Sequence, residues 1–448
     1  MKKFKHLTVK DQATIRDGMI NLKKSGIGLV MVVDKNDKVI GTVSDGDIRK
    51  QLIEDGNLQQ DITNCMTTDY VRIYDEAERE DVLKLFDSKI KVIPVLNPEN
   101  NLIGIIDNSW IPSENEYMVR SRAPARVSLA GGGTDFTKYF MNNGGVGLTF
   151  TIAKYSHVLL SKRNDNKIKI YSHDFQQQLE IESIHSIKYD GNLDLIKSGI
   201  KLMKPNYGFD IEVSCDFPPS SGLGGSASIL AAIIGAFNQF DDKKLDRYSI
   251  AENAFAAERI DLGIAGGWQD QYSTVFGGFN IIEFRKENNL VTPLKLDIEL
   301  LNELEESLIL CSTGETHLGS DIQNLNEKNS PNIDDFGSKM KIIADEMRQG
   351  LLKANLKRFS SLLDQTWQIK KGNNPLVTNS TIDNIYDIAI EAGATAGRLL
   401  GTGGGGYLLF FVPPKSRYSV IEALNQESLK TENILFDHMG LQSWKIAQ

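Results

Sequence analysis

Between residues 209 and 240 the chain passes from an alternating stretch, Phe-Asp-Ile-Glu-Val-Ser-Cys, through a Gly/Ser segment, Asp216-Phe217-Pro218-Pro219-Ser220-Ser221-Gly222-Leu223-Gly224-Gly225-Ser226-Ala227-Ser228, into the apolar, alanine-rich run from Ile229 to Phe240. Period-two alternation predicts a strand and the alanine-rich run predicts a helix, so the glycines and serines form the turn between them. Such a turn aims backbone N–H groups, free of side chains, along the positive end of a helix, which is how a protein holds phosphate anions. No Gly-Lys-Ser/Thr follows and the dinucleotide spacing is absent, so this is neither of the two commonest phosphate loops. Taken alone, the segment also fits a capped, buried helix.

Two further glycine clusters flank it. Pro124-Ala125-Arg126-Val127-Ser128-Leu129-Ala130 ends in Gly131-Gly132-Gly133-Thr134-Asp135, where glycine lets the backbone approach a ligand and Thr134 and Asp135 offer groups suited to sugar hydroxyls. The plainer reading is a tight turn with Asp135 capping a helix. Gly401-Thr402-Gly403-Gly404-Gly405-Gly406 precedes the apolar YLLFFV, and so many free torsions carry a folding cost that a loop without a task rarely keeps. Between these clusters lie Glu258, at the end of a helical stretch, and Asp270, after Gly266-Gly267. Two acids beside a phosphate loop suggest a magnesium ligand and a group facing the reacting hydroxyl.

The chain has 448 residues, which points to about three domains. Fifty Lys and Arg against 59 Asp and Glu give a net charge of −9, which argues against a nucleic-acid coat. No apolar run reaches the ~18–20 residues of a membrane span, and MKKFKHLTVKDQ has no apolar stretch behind its basic head, so neither membrane nor secretion is expected. Cys65, Cys215 and Cys311 are too scattered for a disulfide framework or a zinc site, and a cytoplasmic setting is the simplest.

Residues 1–110 read as helix, strand, turn, strand, twice over, and the polar 111–120 stretch as the main linker. The front stretch resembles a pair of cystathionine-beta-synthase-type (CBS) domains. In that family a Ser or Thr and, three residues on, an Asp contact the phosphate and ribose of an adenine nucleotide; Ser44 and Asp47 stand at those positions. The second copy has Asp107 and Trp110 there, which implies one nucleotide site at most. The alternative is a folding or dimerisation module without a ligand; a homodimer through the pair is one arrangement the resemblance allows.

From about residue 118 the three glycine motifs occur in the order of the GHMP small-molecule kinases, which the chain resembles over three-quarters of its length; RVSLAGGGTDF, GGWQDQYSTVFGGFNIIEF and AGRLLGTGGGGYLLFF are most similar to the heptose-phosphate branch. The resemblance implies an α+β architecture: a ribosomal protein S5-like half (118–300) and a ferredoxin-like half (301–448), after an α/β CBS pair (1–112). It implies ATP bound through Ser220, Ser221, Gly222, Leu223, Gly224, Gly225, Ser226 and Ala227, Mg²⁺ on Ser226 and Glu258, and Asp270 as catalytic acid beside Arg126. Gly132, Gly133, Thr134, Asp135, Gly403, Gly404 and Arg398 would bind the sugar. Lys370, Lys371 and Arg398 are candidates for a phosphate already on it, the two lysines reading equally well as a solvated basic face. Arg398 stands where the branch tends to have Lys, and His317 where Arg is expected. The expected reaction is phosphorylation of the anomeric hydroxyl of a heptose 7-phosphate. Fucose or another sugar, or a catalytically silent sensor, are the rivals.

Overall fold

In the computed structural model, residues 6–74, 77, 79–86, 90–107, 117–241, 243–315 and 333–447 are described. His317, Trp110 and most of the expected linker lie outside them. The chain divides into two compact units, Met1–Asn115 and Glu116–Gln448.

The front unit holds the two expected repeats. The first is β1 (Thr8–Lys10), α1 (Ile15–Ser25), β2 (Leu29–Val33), β3 (Val39–Ser44) and α2 (Asp45–Asp55); the second is β4 (Ile73–Tyr74), α3 (Arg79–Leu85), β5 (Val92–Leu96) and β6 (Leu102–Asp107). Each forms its own three-stranded sheet, with a parallel outer strand and an antiparallel hairpin. Met31, Val33 and Val39 of the first repeat pack with Leu96 of the second, so the repeats share one apolar seam. Both long helices begin with the same device. Thr14 accepts from the Asp17 amide and Asp17 from the Thr14 amide, and Ser44 and Asp47 repeat this at α2.

The second unit is organised by two long strands, β7 (Tyr117–Ala130) and β8 (Gly145–Lys162), bridged by α4 (Thr137–Asn143). Around them β9 (Ile168–Ser172), β10 (Gln177–Ile181), β11 (Phe209–Cys215), β12 (Asn280–Phe284) and β13 (Asn289–Pro293) extend a nine-stranded sheet. On it lie α5 (Asp194–Met203), α6 (Gly225–Phe240), α7 (Arg247–Phe255), a π-helical turn (Ala256–Asp261) and α8 (Gln269–Phe276). Nearly every residue of α6 from Ala227 to Phe237 is buried, which explains why the segment is apolar all round rather than striped.

A smaller layer follows: α9 (Ile298–Ser307), β14 (Leu308–Ser312), α10 (Ile333–Leu352), α11 (Leu356–Asn373), α12 (Ser380–Glu391), β15 (Ala396–Leu399), β16 (Tyr407–Phe411), α13 (Arg417–Gln426) and β17 (Thr431–Asn433). The strands pair antiparallel in the order β15-β16-β14-β17, the ferredoxin-like arrangement. The layers are not separate bodies. After β17 the chain returns to the large sheet, where β18 (Phe436–Asp437) pairs with β8 and β19 (Gln442–Ala447) with β7. Gly235 of α6 makes room for that return, since a Cβ there would stand 2.8 Å from Ser443 Oγ.

Candidate active site

Arg126 projects from β7 beside the Gly/Ser loop. Its backbone N–H donates to Leu223 O at 2.9 Å and its guanidinium donates to Gly222 O. Nε and Nη2 each donate to one oxygen of Asp270 at 2.7 Å, a bidentate pair. Burial alone would raise the Asp270 pKa, but the Arg126 charge and its two hydrogen bonds win, so the carboxyl is held below its ordinary range.

The start of α8 fixes Asp270 in place. Asp135 does not cap the helix after it, as the plainer sequence reading had it; its carboxylate accepts from the Gln269 amide at 3.0 Å and the Gly133 amide at 3.2 Å, capping α8 from across the fold. Gly267 is glycine because a Cβ there would run into that carboxylate. Trp268 stacks on Phe255 at 3.5 Å and donates to Thr137 Oγ1 at 3.0 Å. Burial pushes the Asp135 pKa up.

Ser226, in the first turn of α6, donates to Glu258 Oε1, and Gln271 Nε2 donates to Oε2 at 2.6 Å. Glu258 sits in the π-helical turn, a local widening that recurs at functional sites. It is almost wholly buried, and burial raises its pKa against the opposing pull of Arg259 and Ser226. A hydroxyl and a carboxylate are hard oxygen donors of the kind Mg²⁺ accepts alongside phosphate and water. Among the described residues no cluster of three His, Cys, Asp or Glu offers a richer metal site.

Arg126, Asp135, Gln269 and Asp270 open on a cavity of about 220 Å³, whose lining includes neither the 220–227 loop nor Glu258. Of the residues singled out from sequence, Arg126, Gly132, Gly133, Asp135, Asp270, Arg398 and Lys370 line it. Thr134 does not: fully buried, its hydroxyl lies 2.7 Å from Gly131 O and 2.8 Å from Val146 O and accepts from the Val146 amide at 3.0 Å. Gly403 and Gly404 do not line it either. A Cβ on Gly403 would stand 2.7 Å from Val377 Cα, and Gly404 donates to Val377 O, so both serve the packing of the third loop against Val377. Gly401 and Gly222 approach back to back, a Cβ on Gly401 falling 2.6 Å from Gly222 Cα. The third cluster thus braces the second. Lys371 points away, 3.5 Å from Asp383 and over the Trp367 and Tyr386 rings. Ser128, Arg259, Gln269 and Phe336 line the cavity unforeseen; Gly266, where a Cβ would collide with the Arg259 guanidinium, was the signal for Arg259.

Ser44 Oγ accepts from the Asp47 amide at 3.2 Å and donates to Asp47 Oδ2 at 2.6 Å, so both side chains are engaged in the cap of α2.

Residues 194–278 match the GHMP kinases N terminal domain, residues 347–430 the GHMP kinases C terminal domain, and residues 1–54 and 60–109 the CBS domain. A D-glycero-alpha-D-manno-heptose 7-phosphate kinase of Campylobacter jejuni is 35% identical over 339 residues, 73% of this chain and 99% of the relative. An L-fucokinase/L-fucose-1-P guanylyltransferase of Bacteroides fragilis is 27% identical over 68% of this chain and 36% of its own length. The crystal structure of a D-glycero-D-manno-heptose 1-phosphate kinase from Bacteroides thetaiotaomicron, 32% identical, matches with a TM-score of 0.63, covering 74% of this chain and all of that one. With this similarity joined to the two-layer fold and the loop-and-acid geometry, the chain belongs to the GHMP kinases, as an ATP-dependent sugar kinase with a CBS-domain pair ahead of it.

Proposed function

We propose that the chain transfers the γ-phosphoryl group of ATP to the anomeric hydroxyl of D-glycero-D-manno-heptose 7-phosphate, giving the 1,7-bisphosphate that nucleotide-heptose and surface-polysaccharide synthesis would consume. The observation that carries this reading is the bidentate Arg126–Asp270 pair opening on the cavity. Phosphoryl transfer asks a protein for positioning and charge stabilisation above all. Asp270, held ionised, accepts the hydrogen bond of the acceptor hydroxyl and takes its proton as the new bond forms. Arg126 keeps that carboxylate oriented and faces the transferring group. The loop from Ser220 to Ala227 wraps the triphosphate with its amides. Ser226 and Glu258 would hold Mg²⁺, which when bound neutralises charge on the phosphate oxygens. Gly132, Gly133, Asp135 and Arg398 contact the sugar, while Thr134, Gly403 and Gly404 shape the loops behind them.

In this reading 1–112 is a regulatory module and 118–300 and 301–448 are the two kinase halves. Adenine nucleotide at Ser44 and Asp47 would have to open the α2 cap, so binding and helix stability are coupled there. We place the enzyme in the cytoplasm, where ATP is made; its three cysteines are free and no helix among the described residues is long and apolar enough to cross a membrane.

The test is coupled ADP release with heptose 7-phosphate, free heptose and fucose. Turnover confined to fucose moves the assignment to the sugar of the Bacteroides fragilis relative; no turnover with any sugar leaves a silent sensor. Calorimetric titration of the full chain with AMP and ADP, with Ser44→Ala as control, tests the front module. Sedimentation analysis of the full chain tests for a dimer.

A further inference from the structure

Among the described residues the cavity is lined by more basic side chains than acidic ones. Among the described residues its lining holds five basic side chains (Arg126, Lys138, Arg259, Lys370, Arg398) and two carboxylates (Asp135, Asp270). Asp270 is taken by Arg126, and Arg259 lies 3.4 Å from Glu258. Arg398 and Lys370 have no acidic partner among the described residues. Arg398, 4% exposed on β15, donates to Leu129 O, and its Nε has no hydrogen-bond partner. Lys370, from the last turn of α11, donates to Gly401 O at 2.6 Å. Burying two basic groups near each other without a counter-charge is costly, and an anion supplied from outside would offset that cost.

We propose that Lys370 and Arg398 form the subsite for a phosphate monoester already carried by the sugar, separate from the loop that takes ATP; the inference rests on the kinase reading above. The placement favours the acceptor over the nucleotide. Residues 220–227 are absent from the cavity lining, whereas Gly132, Gly133 and Asp135 share it with both cations. Arg398 hydrogen-bonds the end of β7 just before that glycine turn. The chemistry recognised is therefore a phosphorylated sugar, and neutral sugars leave the two cations unanswered. Burial, then Arg398 and Arg126, push the Lys370 pKa well below the ordinary lysine value, and a dianion bound there would favour the protonated amine.

The experiment compares the full-length enzyme with Arg398→Gln, Arg398→Lys and Lys370→Met. In the Gln and Met variants KM for heptose 7-phosphate should rise about 10- to 100-fold, the value of a charge-assisted contact. KM for ATP should stay within about threefold and kcat/KM for free heptose should fall far less than that for heptose 7-phosphate, with Arg398→Lys recovering part of the loss. A rise in KM for ATP alone assigns the cations to the γ-phosphate and overturns the proposal, as does an equal loss on both sugars. Independently of turnover, inorganic phosphate should bind the wild type, read by calorimetry, and Lys370→Met should abolish that binding. If heptose 7-phosphate is not a substrate but phosphate still binds in this way, the acceptor assignment fails and the subsite stands; phosphate binding equal in both proteins, or absent from both, overturns the subsite.

Discussion

Both oxygens of Asp270 are held by one side chain, Arg126, at 2.7 Å each, across 144 residues of sequence. The contact ties β7, the first long strand of the sheet, to the first turn of α8, and it sets the protonation state on which the chemistry depends. Asp270→Asn keeps the shape and removes the charge. Turnover should fall about 10²- to 10⁴-fold with KM for ATP nearly unchanged, measured by coupled ADP release. Because Arg126 holds the carboxyl below its ordinary value of 3.8, the wild-type rate should show no acid limb from Asp270 above about pH 4.

Arg126→Met leaves the part-buried Asp270 carboxylate without its main counter-charge. Unfolding in denaturant should show a loss of about 3–5 kcal/mol, and the double variant Arg126→Met/Asp270→Asn should recover much of it. The paired carboxyl has a lowered native pKa, so its contribution is complete above the unfolded value near 3.9 and fades as pH falls through the native one. The gap between wild type and Arg126→Met should therefore narrow on acidification below about pH 4.

Gly222 has φ +79°, and a Cβ there would stand 2.7 Å from Leu400 O. Gly222→Ala should lower stability by about 1–3 kcal/mol and raise KM for ATP, because it pries the two glycine loops apart. Gly263 has a similar φ of +66° but open space around it, so Gly263→Ala should show the backbone strain of about 1–2 kcal/mol and leave KM for ATP alone. Thermal unfolding and saturation kinetics on both variants check this.

Ser44→Ala removes the reciprocal cap of α2 and should cost the front unit about 1 kcal/mol, seen as an earlier thermal transition. If AMP binds there, its stabilising effect should also weaken in this variant.

Lys370 offers a pH signature of its own. Its native pKa lies well below 10.5, so between that value and about 10.4 the unfolded chain holds a proton that the native chain lacks. Stability should rise with pH across this window. Lys370→Met should flatten that rise, and saturating phosphate should flatten it too; urea titrations from pH 7 to 10 measure both.

Much of this was legible before any coordinates. Strand, loop and alanine-rich helix at 209–240 follow from local periodicity, and so do the two front repeats, because each pattern is written within a dozen residues. The pairing of Arg126 with Asp270 could be expected only through family resemblance, since nothing local joins residues so distant. What escaped were consequences of packing. Asp135 serves a helix in a different part of the chain, and Thr134 spends its hydroxyl on neighbouring carbonyls. The four-glycine run faces another loop instead of a ligand, because glycine serves close backbone packing as readily as it serves phosphate. The cation excess around Lys370 and Arg398 is invisible in a net charge of −9, because burial sorts charges that composition adds together.

The pairing of β19 with β7 bears on how the enzyme is made. Arg122 and Gln442 are joined by a hydrogen bond although 320 residues separate them. During synthesis the strand bearing Arg126 leaves the ribosome long before the segment around Gln442, and until that segment follows one flank stays unzipped, a bare sheet margin beside an unfinished catalytic centre. Maturation of the site thereby waits on that distant segment, and until it arrives chaperone protection of the margin matters most.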